Sequence, residues 1–433
     1  MSRVAIIGTG IAGMTVAHHL HRDHELTLFE AANYVGGHTA TVDVEHGGKR
    51  YAVDTGFIVF NDWTYPNFIA LLDELGVAWQ WSDMSFSLRC ERSGLEYNGT
   101  SVNALFAQRR NIFRPSFLRM IRDILRFNER CRALLADERG SLTLGEYLGR
   151  EGYSRAFVER YIVPMGRAIW SATDRAMLEF PARFFVDFFD RHGFLNVDDR
   201  PVWRTVRGGS REYARKLVAP FRDRIALSTP IRRVRRDATG VTVTTAQGDH
   251  ARFDHVFFAC HSDQALAMLD DASAAEREVL GAFPYQTNDA TLHTDARLLP
   301  RRPLARAAWN YHLTDRPQER VPVTYDMNTL QSIDAPVRFL LTLNREADID
   351  PATIIDRYRY DHPVYTPAAV AAQGERRRVS GVNRSYYCGA YWRYGFHEDG
   401  VVSGLWALQD FAQATQGTPP PAPILAPTRR SRG

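Results

Sequence analysis

The feature that most constrains this chain lies at its start, where residues 3–30 read RVAIIGTGIAGMTVAHHLHRDHELTLFE. The apolar run at 4–7 has the length and branched content of a strand buried on both faces. Gly8, Gly10 and Gly13 follow as G-x-G-x-x-G, residues 11–20 continue in a helical pattern, and a second strand at 26–29 runs into Glu30. Each piece has a mechanical task in a dinucleotide-binding unit. The first glycine permits a tight turn, the second lets a pyrophosphate approach the backbone, and the third lets helix and strand pack closely. The helix start, at Ile11 and Ala12, offers unpaired N–H groups to phosphate. Glu30, 22 positions after Gly8, can hold a ribose hydroxyl. Strand, turn, helix, strand and acid in that order predict a doubly wound α/β fold.

At 433 residues the chain exceeds the size at which one hydrophobic core stops growing, so two domains are expected. The formal charge of +4 is too small for a dedicated nucleic-acid binder, and that class is set aside. Lys49 and Lys216 are the only lysines, which leaves little room for lysine chemistry. Cys90, Cys131, Cys260 and Cys388 are far apart and form no C-x-x-C pair, as expected of free thiols in a reducing compartment. No apolar run approaches the roughly 20 residues that span a bilayer. A cytoplasmic protein is the expectation.

Beyond Glu30 a five-residue spacer leads to Gly36 and Gly37. This extension resembles the FAD-binding fingerprint of the flavoprotein group that contains amine oxidases, phytoene desaturases and protoporphyrinogen oxidases. Members of that group often carry Arg after the glycine pair, where this chain has His38. The resemblance implies FAD as cofactor, and Gly56 and Phe57 in a D-x-G segment whose bare backbone lies against the flavin ring. It also implies two returns to the cofactor fold. One spans Gly208–Gly209 and alternating strands at 231–256, with the backbone near Val234 at the adenine. The other spans 385–408, where Gly389 and a helix starting near Glu398 and Asp399 meet the flavin.

The chain resembles one branch of that group more narrowly: the FAD-binding oxidoreductases related to the N-terminal flavin domain of plant cyclopropane fatty acid synthases, and their bacterial stand-alone relatives. The residues carrying this are GGHTATV (36–42), DTGFIVFNDWTYPNF (54–68), SDMSFSL (82–88), YIVPMGRAIWS (161–171) and CGAYWRYGFHEDG (388–400). The resemblance implies a Rossmann-like FAD-binding domain of three segments, 1–79, 203–284 and 376–415. An α+β substrate domain would be formed by 80–202 and 285–375, with a disordered tail at 416–433. It further implies an enzyme that desaturates or isomerises an unsaturated, methyl-branched or cyclopropane acyl chain, with an acyl methyltransferase as a candidate partner. Amine oxidation, and a non-catalytic partner role, stay open. A lysine-dependent amine oxidase is disfavoured because residues 217–433 contain no lysine.

His397 is a candidate base and Tyr391 a candidate wall of the flavin site, although helix capping and packing would explain both. Glu398 and Asp399 could cap the helix or hold the ribityl chain. His18, His19, His21 and His24 lack the convergent ligands of a metal site, and no metal is expected. At 117–135, Phe117, Ile121, Ile124, Leu125, Cys131 and Leu135 are expected broadly on one side, with a stripe of Arg119, Arg122, Arg126 and Arg130 elsewhere. That stripe is either a solvated face or a dock onto the inner face of a membrane.

Overall fold

The run at 4–7 is buried on both faces, and its neighbours explain why. In the computed structural model, which describes residues 1–136, 142–315 and 319–425, strand Arg3–Ile7 is the centre of a five-stranded parallel sheet. The order is Ile225–Ala226, Glu25–Phe29, Arg3–Ile7, His255–Phe258, Ser385–Tyr387. Ile7 is in register with Phe29 on one side and Phe258 on the other. Strand alternation then sorts the side chains between two cores. Val4 and Ile6 enter the core formed with helices Ile11–Leu20 and His397–Thr415, whereas Ala5 and Ile7 enter the core beneath the three-stranded sheet 231–253.

Residues 86–98 and 285–363 build a second, seven-stranded sheet, ordered Ile354–Pro363, Tyr285–His293, Leu340–Leu343, Val323–Asp326, Trp309–Leu313, Phe86–Cys90, Leu95–Asn98. It is antiparallel except where Trp309–Leu313 runs beside Phe86–Cys90. Its core joins the helices of 115–191 in an aromatic-rich layer that includes Phe127, Trp170, Phe185 and Phe188. The hairpin Thr41–His46 and Lys49–Asp54 also contributes to this core, through Val44 and Val53.

Helix Pro115–Arg130 corrects one expectation. Its buried residues are Phe117, Met120, Asp123 and Phe127, whereas Leu125, placed on the apolar side from sequence, is 54% exposed. The stripe rotates because Asp123 is held inside. Its carboxylate accepts from the Ser154 N–H at 2.9 Å and pairs with Arg119 at 3.3 Å and Arg126 at 3.6 Å. The helix gives way to a tighter turn at Cys131–Ala136. Among the described residues no helix is long and apolar enough to cross a membrane.

The expected disordered tail, 416–433, lies in part outside the described residues. Its described portion, 416–425, forms neither helix nor strand, yet it is tied down near its end. Ile424 donates its N–H to Asn67 Oδ1 at 2.9 Å, and its carbonyl accepts from Asn67 Nδ2 at 2.8 Å.

Candidate functional site

The N-terminal turn uses its three glycines for three different reasons. Gly8 has φ +104°, and a Cβ there would lie 2.5 Å from the Ala259 carbonyl oxygen. At Gly13 a Cβ would come within 2.1 Å of Gly8 O, so helix and turn can touch only through glycine. At Gly10 nothing lies within 4 Å of the Cβ position. Its backbone faces open space where the helix begins. The first helical bond there runs from the Met14 N–H to Gly10 O at 2.9 Å, which leaves the N–H groups of Ile11, Ala12 and Gly13 for an anion.

Glu30 reaches back to the same turn. Its Oε2 accepts from the Thr9 N–H at 3.0 Å and the Thr9 hydroxyl at 2.6 Å, and its Oε1 from the Ala32 N–H at 2.9 Å. A carboxylate has about four acceptor sites, so capacity for a ribose hydroxyl remains. Gly37, with φ +57°, folds the following loop onto the turn, where a Cβ would meet Gly10 Cα at 3.3 Å. Gly36 precedes it and donates its N–H toward Thr9 Oγ1 at 3.4 Å. Val234 is fully buried in strand Ile231–Asp237, and its carbonyl accepts from the Asp270 N–H at 3.1 Å.

Helix His397–Thr415 is brought alongside helix Ile11–Leu20 by two small residues. A Cβ at Gly400 would lie 2.5 Å from Ile11 Cγ2, and one at Gly404 would lie 3.0 Å from Ala12 O. His397, at its start, is buried, stacked on Phe57 at 3.7 Å between centroids, and bonded through Nε2 to the Tyr213 hydroxyl at 2.6 Å. Tyr213 bonds Thr39 in turn. Burial holds the His397 imidazole well below its ordinary pKa, so it is neutral. Glu398 caps a different helix, accepting from the Asn67 N–H at 3.1 Å and the Phe68 N–H at 2.9 Å. Burial raises it to about 7 against those donors. Asp399 accepts from the Phe396 N–H at 2.9 Å and lies 3.3 Å from Arg393; burial raises it too.

Between the two sheets, three histidines meet from distant segments. The His38 ring lies 6.2 Å from His261, 5.5 Å from His362 and 5.1 Å from Tyr360. Burial lowers His38 to about 3 and His362 to about 4, with the neighbouring histidines adding to the effect. All are therefore neutral imidazoles near pH 7. Asn288 Nδ2 contacts His362 Nδ1 at 3.1 Å, Tyr285 stacks on His261, and the Tyr360 hydroxyl bonds Thr55 Oγ1 at 2.9 Å. The Gly56 backbone presses on His38: a Cβ would lie 2.1 Å from His38 O, which accepts from the Phe57 N–H at 2.7 Å. Asp54, just before, is a clamp. Its carboxylate accepts from the Thr41 and Ser210 hydroxyls at 2.5 and 2.9 Å and from Gln331 Nε2 at 2.9 Å. Burial pushes it up to about 6.

His38 Nε2, the Tyr391 hydroxyl and the Tyr365 hydroxyl are among the polar atoms buried without a partner, and the first two belong to residues the sequence assigns to the flavin site. Tyr391 packs its ring on Phe283 and Trp392, and Gly389 makes room for it, since a Cβ at 389 would lie 2.4 Å from that ring. Orphaned buried donors and acceptors cost stability unless a bound group satisfies them. Open backbone at Gly10, free N–H groups and unpaired polar atoms on His38 and Tyr391 fit a phosphate-bearing cofactor with a polar ring system.

The residues that sequence reasoning missed come from pairing across distance. Thr9 orients Glu30, Tyr213 and Thr39 fix His397, and His261, Tyr360, His362 and Asn288 surround His38. His261 carried a readable signal, since it follows a buried strand directly before a helix start. The four-histidine stretch is taken up by other partners: the His18 ring lies 5.4 Å from that of His19 and 6.1 Å from that of His21, but His18 Nε2 meets Glu74 at 2.9 Å, and His24 Nδ1 accepts from the Ser2 N–H at 3.3 Å. The described residues contain no metal-binding cluster.

The chain matches the family described as "Flavin containing amine oxidoreductase" over residues 11–304. Proteins of two Mycobacterium tuberculosis strains, provisionally named flavin-containing monoamine oxidase AofH, are 28% identical over 259 residues, covering 57% of this chain and 54% of theirs. The chain thus spans about half the length of these curated relatives. Among solved structures, cyclohexylamine oxidase from Brevibacterium oxydans superposes with a TM-score of 0.69 at 17% identity, over 96% of this chain and 99% of that one. A CLA-producing fatty acid isomerase from P. acnes superposes with a TM-score of 0.66 at 17% identity, over 95% and 98%. At such identity these superpositions speak to fold alone.

Proposed function

The chain belongs to the family of flavin containing amine oxidoreductases, and on that premise we propose that this FAD-dependent oxidoreductase desaturates or isomerises an unsaturated, methyl-branched or cyclopropane acyl chain. Bound FAD supplies the two-electron acceptor for a hydride taken from the substrate carbon. Ile11, Ala12 and Gly13 would hold its pyrophosphate, Glu30 its ribose, and His38 and Tyr391 polar atoms that are otherwise unpaired. His397, fixed by Tyr213 and stacked on Phe57, positions the site. Desaturation also releases a proton, for which solvent is the acceptor, because burial holds the His38 and His362 imidazoles at about 3 and 4, too weakly basic to keep it near pH 7. Isomerisation returns the hydride elsewhere on the chain and needs no such acceptor.

The observation that carries the acyl reading is an aromatic wall that ends at Phe396, the residue before His397. Trp170, Phe184, Phe188, Tyr394 and Phe396 stack on one another, with Phe188 at 4.7 Å from Trp170 and 5.1 Å from Phe396. The carboxylates there are already engaged: Asp187 with Arg191 and Tyr394, Asp190 with Arg132, and Asp399 with Arg393. Apolar side chains of this kind would meet an acyl chain without a desolvation penalty, whereas the carboxylates named here are already paired and would not be free for a substrate ammonium. The resemblance to the flavin domain of cyclopropane fatty acid synthases points the same way, with an acyl methyltransferase as the fitting partner.

A second reading, oxidation of an amine, is favoured by the name of the mycobacterial relatives and by the aromatic surroundings. Product analysis separates the two. The flavin-loaded protein would be incubated with monounsaturated and methyl-branched phospholipids, and the released acyl chains analysed by mass spectrometry. Loss of two hydrogens indicates desaturation, and a shifted double bond at unchanged mass indicates isomerisation. Unaltered lipids alongside an amine panel converted to carbonyl products would overturn the acyl reading.

A further inference from the structure

We infer that the face formed by residues 102–125 and the neighbouring turn at 301–304 is a docking surface for an anionic lipid bilayer. The first observation is exposed apolar area. Phe113 is 86% exposed and Val102 75%, and Ile112, Leu118, Leu125 and Leu304 are also exposed. Leu118 and Leu125 are seven positions apart, so they share the outer face of helix Pro115–Arg130 with Arg122 between them. Single exposed apolar residues are ordinary on a protein surface, but large ones gathered on adjoining elements mark an interaction site.

The second observation is charge. Residues 101–130 hold seven arginines against Asp123 and Glu129, in a chain whose whole formal charge is only +4, so the excess is gathered in this one segment. Asp123 is buried and paired. Arg114, Arg122 and Arg130 have no side-chain partner among the described residues. Beside Phe113 a cleft of about 280 Å³ is lined by Arg114, Ser116 and Arg160. Across the 93–95 turn a second cleft, of about 590 Å³, is lined by Arg110, Arg301 and Arg302 together with Glu91, Glu96 and Asp315. Glu96 is occupied: its two carboxylate oxygens accept the backbone N–H groups of Arg301 and Arg302 at 3.0 and 3.1 Å. Apolar side chains ringed by unpaired guanidinium groups complement a bilayer, with acyl chains below the surface and phosphates at it. An acidic protein would account for the arginines but not for Phe113 and Val102 standing out among them.

This deepens the acyl reading, and rests on it, by naming a bilayer as the source of the substrate. Vesicle binding is measured without turnover, so the two can fail separately. The flavin-loaded protein would be floated with vesicles of phosphatidylcholine alone and of phosphatidylcholine with phosphatidylglycerol. The wild type is expected to rise with the second only. Phe113→Ser, and separately Arg114→Glu with Arg122→Glu, should lower the partition coefficient by about tenfold or more. The same charge change elsewhere, Arg222→Glu with Arg377→Glu, should leave it unchanged. Leu125→Ser repeats the apolar test if Phe113→Ser loses its flavin absorbance. A wild type that remains unbound to both vesicles overturns the inference. So does binding that survives loss of the apolar side chains, or that falls equally with the control pair.

Discussion

Replacing Gly10 and replacing Gly13 should do different damage, although both belong to one glycine motif. At Gly10 the backbone is extended, with φ −64° and ψ 175°, and no protein atom lies within 4 Å of a Cβ. Alanine there should cost the cofactor-free fold less than about 1 kcal/mol, the usual difference at a helix cap. The methyl group would instead occupy the space of the pyrophosphate and hold it off the free N–H groups of the helix start. Losing two charge-assisted hydrogen bonds at about 1.5–3 kcal/mol each raises the FAD dissociation constant by roughly two to four orders of magnitude. At Gly13 the methyl would overlap Gly8 O at 2.1 Å, so helix and strand must separate. Overpacking of that kind costs about 1–3 kcal/mol or more, with or without cofactor. Urea unfolding of the deflavinated proteins gives the first quantity, and flavin fluorescence during reconstitution gives the second. If Gly10→Ala binds FAD like the wild type, or if it destabilises the cofactor-free protein as much as Gly13→Ala does, the anion site has been misplaced.

Other outcomes follow from buried polar groups. Glu398 is raised to about 7 in the folded protein from an ordinary 4.5. Its contribution to stability should be fully present below about pH 4.5 and lost as pH rises through about 7. The urea midpoint should decline across that window, and Glu398→Gln should flatten the decline. Arg236 is held by Glu276, with a second bond at 2.9 Å, and by Asp271 at 3.1 Å; the Tyr387 hydroxyl donates to the same Glu276 at 2.6 Å. Glu276→Ala leaves that guanidinium under-compensated and should cost about 3 kcal/mol in urea unfolding. Tyr213→Phe strips His397 and Thr39 of a shared partner and should cost about 1–3 kcal/mol. The same measurement checks it.

Much of the cofactor side was legible because its signals are local. Residues 4–7, 11–20 and 26–29 form strand, helix and strand within one residue of the expected ends, since burial on both faces demands an unbroken apolar run. The apolar stretches at 307–312, 321–326 and 337–343 likewise form strands Trp309–Leu313, Val323–Asp326 and Leu340–Leu343 of the second sheet. Helix Pro115–Arg130 was misread for a physical reason. Periodicity counts apolar residues, but Asp123 is buried by its own hydrogen bond to Ser154, and the face turns with it. The histidine cluster was invisible for another reason. His38, His261 and His362 occupy three separate segments, and no spacing along the chain predicts that a loop, a strand end and a sheet edge converge. The Asp54 clamp on Ser210 and Gln331 is hidden in the same way.

The central claim, that flavin here accepts a hydride from an acyl chain, is tested most directly by anaerobic titration of the flavin-loaded protein with phospholipid while the visible spectrum is followed. With unsaturated or methyl-branched phospholipid the account predicts bleaching of the visible flavin band if the chain is desaturated, or an unbleached flavin with a shifted double bond in the recovered lipid if it is isomerised, and neither with a saturated straight-chain control. Bleaching by amines alone, with every lipid inert, would contradict it.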